Sequence, residues 1–78
     1  MKFIINSNQH TAINLANVSE ITISCNYLKL TTTGGLNARE VSFFYGSDAV
    51  LEMLFAKIME FVDSTESVFD CYKFVNTL

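Results

Sequence analysis

The sequence predicts an α+β fold: an antiparallel β-meander of four to five strands, one long amphipathic helix packed on one face, and a C-terminal strand or short helix. Two observations support this prediction. Apolar and polar residues alternate through much of residues 10–45, as in half-buried strands, whereas residues 47–63 repeat with the helical period. The 78 residues are expected to form a single domain, 1–78, because a chain of this length has no room for a second core.

Two short strands open the chain. The apolar run at 3–5 is followed by the turn-forming cluster at 6–9, which predicts a strand and then a loop. Residues 11–15 alternate again and predict a second strand, after which Ala16 and Asn17 allow a bend.

A longer strand is predicted at 20–25, where three side chains should share one face: Ile21, Ile23 and Cys25. Asn26 is a turn residue, and the β pattern resumes at 27–33. Gly34-Gly35 supplies the positive φ angles of a tight hairpin. The next strand, 40–45, should align Val41, Phe43 and Tyr45 on one face.

One long helix is predicted from Ser47 to about Val62. Ser47 is a favoured N-cap, and the charge of Asp48 suits the positive end of the helix dipole. At about 100° per residue the apolar side chains cover an arc of roughly 180°, wider than the roughly 100° that a helix on one sheet needs. The arc comprises Val50, Leu51, Leu54, Phe55, Ile58, Met59, Phe61 and Val62.

The tail has two interpretations. Its β-favouring residue types, from Val68 to Val75, indicate a last strand, which is the preferred interpretation. The capping-box spacing of Asp63 and Glu66 indicates a second helix instead.

Apolar residues divide into a core set and a surplus. Strand residues Ile4, Ile13, Leu15, Ile21, Ile23, Leu28, Leu30, Val41 and Phe43 are expected to pack against Leu51, Leu54, Phe55, Ile58 and Val62. The surplus predicts a homodimer interface formed by Val50, Met53, Met59, Phe61, Phe69 and Phe74.

The charge balance points to a protein partner. The formal charge is −3, and the five Lys and Arg residues are scattered, which disfavours nucleic acid and anionic membranes as partners. An acidic protein can instead dock on a basic protein surface. The predicted target-binding residues are Glu52, Glu60, Asp63, Glu66 and Asp70.

Enzymatic and metal chemistry lack the necessary residues. His10 is the one histidine, and it could join Cys25 or Cys71 in a small Cys/His enzyme, the least favoured function. Two distant cysteines do not give the close ligand pairs of a zinc site, so neither a metal nor a cofactor is expected. With no signal peptide or membrane span expected, the location should be cytoplasmic and both cysteines reduced and buried.

Part of the chain resembles the β-rich LytTR-type DNA-binding domains, in which an apolar ladder precedes an aromatic residue and a glycine turn. The matching positions are Ile13-Asn14-Leu15, Val18, Ile21, Tyr27, Leu28 and Gly34-Gly35. The resemblance implies a nucleic-acid-binding regulator acting here through Lys29 and Arg39. The basic residues with which such domains grip DNA are missing from this sequence, so the resemblance is used as an indication of fold.

The favoured prediction is a small non-catalytic protein that inhibits or regulates a target by steric docking. In size, acidity and lack of motifs the chain is similar in general character to phage or mobile-element inhibitors of host machinery, such as anti-CRISPR proteins. The nucleic-acid-binding regulator is the alternative.

Overall fold

The structure is a computed structural model, described for residues 1–33 and 39–78. Its elements confirm the α+β class: β1 Phe3–Asn6, β2 Thr11–Asn14, β3 Val18–Ser24, β4 Tyr27–Thr32, β5 Arg39–Tyr45, α1 Asp48–Val62, β6 Val68–Asp70 and α2 Cys71–Val75. Single 3₁₀ turns at Ser7–Gln9 and Leu15–Asn17 join the first three strands. The hairpin predicted at Gly34-Gly35 lies outside the described residues.

The described strands form two sheets, whereas the sequence predicted one meander. β3, β4 and β5 make an antiparallel meander, as expected. β1 lies between β2, which is antiparallel to it, and β6, which is parallel. The chain passes from one sheet to the other at the 3₁₀ turn between β2 and β3. There the side chain of Asn14 accepts a hydrogen bond from the amide of Ala16, which stabilises the change in chain direction.

A two-residue turn joins β3 to β4. Cys25 and Asn26 have φ angles of 51° and 67°, the pair of left-handed conformations that a type I′ hairpin requires. The last pair of the ladder is Ser24 with Tyr27. Cys25 therefore lies in the turn and is exposed, so its expected place beside Ile21 on the buried face was wrong.

Strand β5 contains a β-bulge at Phe43. Ser42 pairs with Lys29 of β4, and Phe44 pairs with the residue before Lys29, which leaves Phe43 without a partner in the ladder. The extra residue reverses the alternation after it. Phe43 is buried, but Tyr45 is exposed, so the predicted alignment of these two side chains was wrong.

The bulge is fixed by a buried amide. The side chain of Asn6, at the end of β1, is only 2% exposed and donates from Nδ2 to the Phe43 carbonyl at 2.9 Å. Its Oδ1 accepts a hydrogen bond from the Asn8 amide at 3.2 Å. Asn6 thereby joins the two sheets and satisfies a carbonyl that the bulge removes from the ladder.

Helix α1 begins and ends as the sequence predicted. Ser47 Oγ accepts a hydrogen bond from the Val50 amide, and the helix ends at Val62. Val62 itself is exposed, so its expected place in the core was wrong. The buried core contains residues from both sheets and both helices: Ile4, Leu28, Leu30, Phe43, Leu51, Leu54, Ile58, Phe61 and Cys71.

Lys2 binds the C-terminal end of α1. Its Nζ donates to the carbonyl oxygens of Phe61 at 2.8 Å and Val62 at 2.9 Å, and also to that of Ser64. The same nitrogen lies 4.9 Å from the centre of the Phe61 ring. A cation at the negative end of the helix dipole is favourable, so Lys2 holds the start of β1 against the end of α1.

The tail contains both of the predicted alternatives. Three residues, Val68–Asp70, add to β1 as a strand, and a five-residue helix follows at once. Asp70 caps that helix by accepting from the amides of Tyr72 and Lys73. The helix therefore begins after Asp70, and the capping-box start at Asp63 was wrong.

Replacing Asn6 with leucine should lower the free energy of unfolding by about 2–3 kcal/mol, because the Phe43 carbonyl then stays buried without a donor. Chemical denaturation measures this loss. Asn8→Leu makes the same change at an exposed site and keeps the backbone amide, so it should stay within about 0.5 kcal/mol of the natural protein. Equal stability of the two variants would contradict the bridging role of Asn6.

Candidate functional site: a groove between helix and edge strand

A groove of about 530 Å³ lies between α1 and the first half of β3. Glu20 is the one charged residue among those that line it. The apolar lining consists of Leu15, Val18, Ile21, Phe55, Met59 and Val62. Contiguous apolar surface with a polar rim is typical of interaction sites.

The groove exists because the apolar arc of α1 is wider than the core can cover. The centre of the arc is buried, but Phe55, Met59 and Val62 lie at its side, at i, i+4 and i+7. Met59 is 38% exposed and Val62 is 40% exposed, while Phe55 is half-buried. The sequence predicted an apolar arc wider than the core needs, but it assigned Phe55 and Val62 to the core and only Met59 to the surplus, and it did not identify β3 as the other wall.

Two of the predicted target-binding carboxylates, Glu52 and Asp63, are exposed on the side of α1 beside this groove, whereas Glu60 and Glu66 line a separate pocket. Glu52 and Asp63 are eleven residues apart, or about three helical turns, so they lie on the same side of α1, next to Met59. Glu60 is exposed and pairs with Lys57 at 3.3 Å. Glu66, also exposed, lies in the segment after the helix.

Asp70 is held away from this group. It is half-buried, and its side chain accepts hydrogen bonds from three backbone amides at the start of α2 and at Ser7. Burial acts to raise its pKa, but the hydrogen bonds from Ser7, Lys73 and Tyr72 outweigh burial and hold the pKa below the ordinary 3.8. The carboxylate therefore has a structural role as a cap.

The predicted dimer residues fall into two groups. Met53 and Met59 are exposed. The others are engaged within the chain, since Phe61 is only 4% exposed and its ring lies 5.7 Å from that of Phe69, which in turn lies 5.9 Å from that of Phe74. Val50 is half-buried. These aromatic residues thus pack mainly against their own chain.

The register separates the two basic residues proposed for nucleic-acid binding. Arg39 pairs with Thr32, on the face of the sheet that carries Leu30, whereas Lys29 pairs with Ser42 on the opposite face. Arg39 instead borders a cleft of about 480 Å³ between β2 and β5. The two cations therefore do not line a shared groove.

The cysteines and histidine lie in unrelated settings. Burial, reinforced by the charge of Asp70, raises the pKa of the Cys71 thiol to about 12, so it is protonated at neutral pH. Cys25 is exposed in its turn, and His10 is exposed with a left-handed φ of 52°. Within residues 1–33 and 39–78, no three or more His, Cys, Asp or Glu side chains form a group that could hold a metal ion.

No protein-family model, curated protein or solved structure matches the chain. Neither helix in the described ranges is long and apolar enough to cross a membrane.

The two cysteines should differ sharply in reactivity. At neutral pH a thiol reagent such as DTNB should label Cys25 rapidly and Cys71 at least about a hundredfold more slowly, because Cys71 is buried and protonated. Cys25→Ser should abolish the fast phase, and Cys71→Ser should leave it intact. Equal labelling rates of both thiols in the folded protein would contradict this placement.

Asp70 should make stability depend on pH in the acid range. A lowered folded pKa stabilises the protein above the unfolded value of about 3.9, and this contribution is lost as the pH falls through the folded pKa. Asp70→Asn should therefore destabilise the protein at neutral pH and lose its effect in acid, as measured by urea denaturation across pH. Asp63→Asn removes one charge at an exposed position and serves as the control.

Proposed function

We propose that the protein is a non-catalytic protein-binding protein that inhibits or regulates a target by steric docking. The observation that carries the proposal is the surface formed by the groove and the acidic side of α1. There, exposed Met59 and Val62 adjoin exposed Glu52 and Asp63. Apolar area gives affinity, and the carboxylates orient the approach of a basic partner.

The electrostatics support a basic protein target over nucleic acid. The formal charge is −3, and Lys29 and Arg39 lie on opposite faces of one sheet. The face that carries Lys29 also carries Glu20 and Glu40, which pair with the same residue of β4. Phosphate binding would require a cluster of cations on one face.

The residues also favour docking over a Cys/His reaction. A nucleophilic cysteine needs a lowered pKa, and the pKa of Cys71 is raised instead. Cys25 lies in a tight turn at the tip of a hairpin, outside the groove.

The most specific form of the proposal is a cytoplasmic inhibitor of an enzyme that holds nucleic acid in a basic channel, in the manner of anti-CRISPR proteins. An acidic docking surface would compete there for the same cations that bind phosphates. This form of the proposal rests on the acidic charge and small size of the chain.

Charge reversal tests the docking surface. A partner isolated by capture on the natural protein should associate at least about tenfold more slowly at low salt with Glu52→Lys/Asp63→Lys than with the natural protein. The difference should shrink as salt is raised, because screening weakens steering between exposed charges. Stopped-flow or surface-plasmon measurements give both rates.

The matched control is Glu40→Lys/Glu60→Lys. It changes the net charge by the same amount at two exposed positions that do not line the groove, and it should slow association much less. Equal slowing by both double variants would show that only net charge matters. Association that is insensitive to both variants and to salt would contradict an acidic docking surface.

A further inference from the structure

The described strands present four sheet edges, and β3 is the one best suited to pairing. β2 has four residues and β6 has three, which makes both short. The edge of β5 is interrupted by the bulge at Phe43, whose carbonyl already accepts from Asn6. β3 has seven residues and, after a register shift near Ser19, a regular stretch from Glu20 to Ser24.

The hairpin geometry shows which backbone groups of β3 are free. In a two-residue hairpin the residues that flank the turn, here Ser24 and Tyr27, form a hydrogen-bonded pair. Hydrogen-bonded and non-hydrogen-bonded pairs then alternate along an antiparallel ladder. Ile21 and Ile23 therefore direct their N–H and C=O groups away from β4, toward the open edge.

Edges of this kind are usually protected by lysine, proline or a bulge within the pairing stretch. Between Glu20 and Ser24 the residues are Ile21, Thr22 and Ile23, all β-branched, and Glu20 is the one charge. The groove beside this edge is apolar. The edge therefore offers free hydrogen-bonding groups and apolar surface together.

We propose that the chain forms a two-fold symmetric dimer in which β3 pairs antiparallel with β3 of a second copy, centred on Thr22. Ile21 of each copy then exchanges two hydrogen bonds with Ile23 of the other, which uses the free backbone groups on both sides. Thr22 lies opposite Thr22 of the second copy, and Glu20 lies opposite Ser24 of the second copy. The two three-stranded sheets become one sheet of six strands.

The residues of β3 are compatible with pairing to a second copy of the same strand. The antiparallel register places each Glu20 opposite a neutral Ser24 of the other copy. No like charges therefore face each other across the seam, the boundary between the two paired β3 strands. Threonine opposite threonine is a favourable cross-strand pair. The two-fold axis also places both α1 helices on the same face of the joined sheet.

The groove is part of this interface because the strands alone are too small. A stable interface buries about 800 Å² on each partner, more than five paired residues provide. Met59 and Val62 of each copy lie beside the seam and supply additional apolar area. This interface differs from the predicted one, since Phe61 and Phe69 pack within their own chain.

A single substitution should disrupt the dimer without unfolding the monomer. Thr22→Glu places a carboxylate opposite Lys29 within the chain, which is favourable, but opposite a second carboxylate across the seam. Thr22 is in a non-hydrogen-bonded pair at the seam, where side chains approach most closely. The dissociation constant should rise at least about tenfold, measured by analytical ultracentrifugation.

Ser42→Glu is the matched control, because it also faces Lys29 but from β5, away from the seam. The natural protein and Ser42→Glu should both have twice the monomer mass, and Thr22→Glu should be a folded monomer by circular dichroism. Mixing Thr22→Glu with Thr22→Lys should restore a heterodimer, since opposite charges then meet at the two-fold axis.

A natural protein that stays monomeric at high concentration would overturn the proposal. So would a dimer that Thr22→Glu and Ser42→Glu affect equally, because its interface would lie elsewhere. The Glu52→Lys/Asp63→Lys variant should dimerise normally, because neither residue lies on β3, so it separates loss of target binding from loss of the dimer. Met59 and Val62 line both surfaces, so a target that binds the groove competes with the second copy.

Discussion

The arrangement of the two sheets depends on the hydrogen bond from the Asn6 side chain to the Phe43 carbonyl. A bulge removes one residue of β5 from its ladder, and a carbonyl buried without a donor is costly. The Asn6 amide supplies that donor at 2.9 Å from the end of β1. Because the bond joins β1 to β5, the β1 sheet lies at the β5 side of the meander. The opposite edge of the meander, β3, is consequently left open.

Helix α1 closes the core between these sheets, and its position follows from contacts at both ends. Ser47 caps its start directly after β5, and Lys2 binds the carbonyl oxygens at its end. A helix held this way covers both sheets with the centre of its apolar arc. One side of the arc then stays partly exposed and becomes a wall of the groove beside β3. The exposed apolar surface is therefore a consequence of the fold.

Local patterns predicted the parts of the structure that local interactions determine. The limits of α1, its N-cap and strands β3 to β5 follow from periodicity and from capping residues, and the structure confirms them. The parallel pairing of β6 with β1 joins distant segments, and no local pattern encodes it. The type I′ turn at Cys25 escaped prediction because cysteine rarely adopts positive φ. Phe61 lies near Leu54 on the helical wheel, so its burial was readable from the same arc that predicted the surplus.

The groove and the open edge both trace back to the size of the chain. Closing a sheet into a barrel removes its edges, but the described strands form two open three-stranded sheets. In a small chain, charged side chains on an edge strand can prevent pairing with another chain. Strand β3 has only one charged residue, Glu20. Surface that the fold leaves apolar and unpaired is stable in water only if it is small or is covered by another chain. The physical constraint therefore favours association of this surface with another chain.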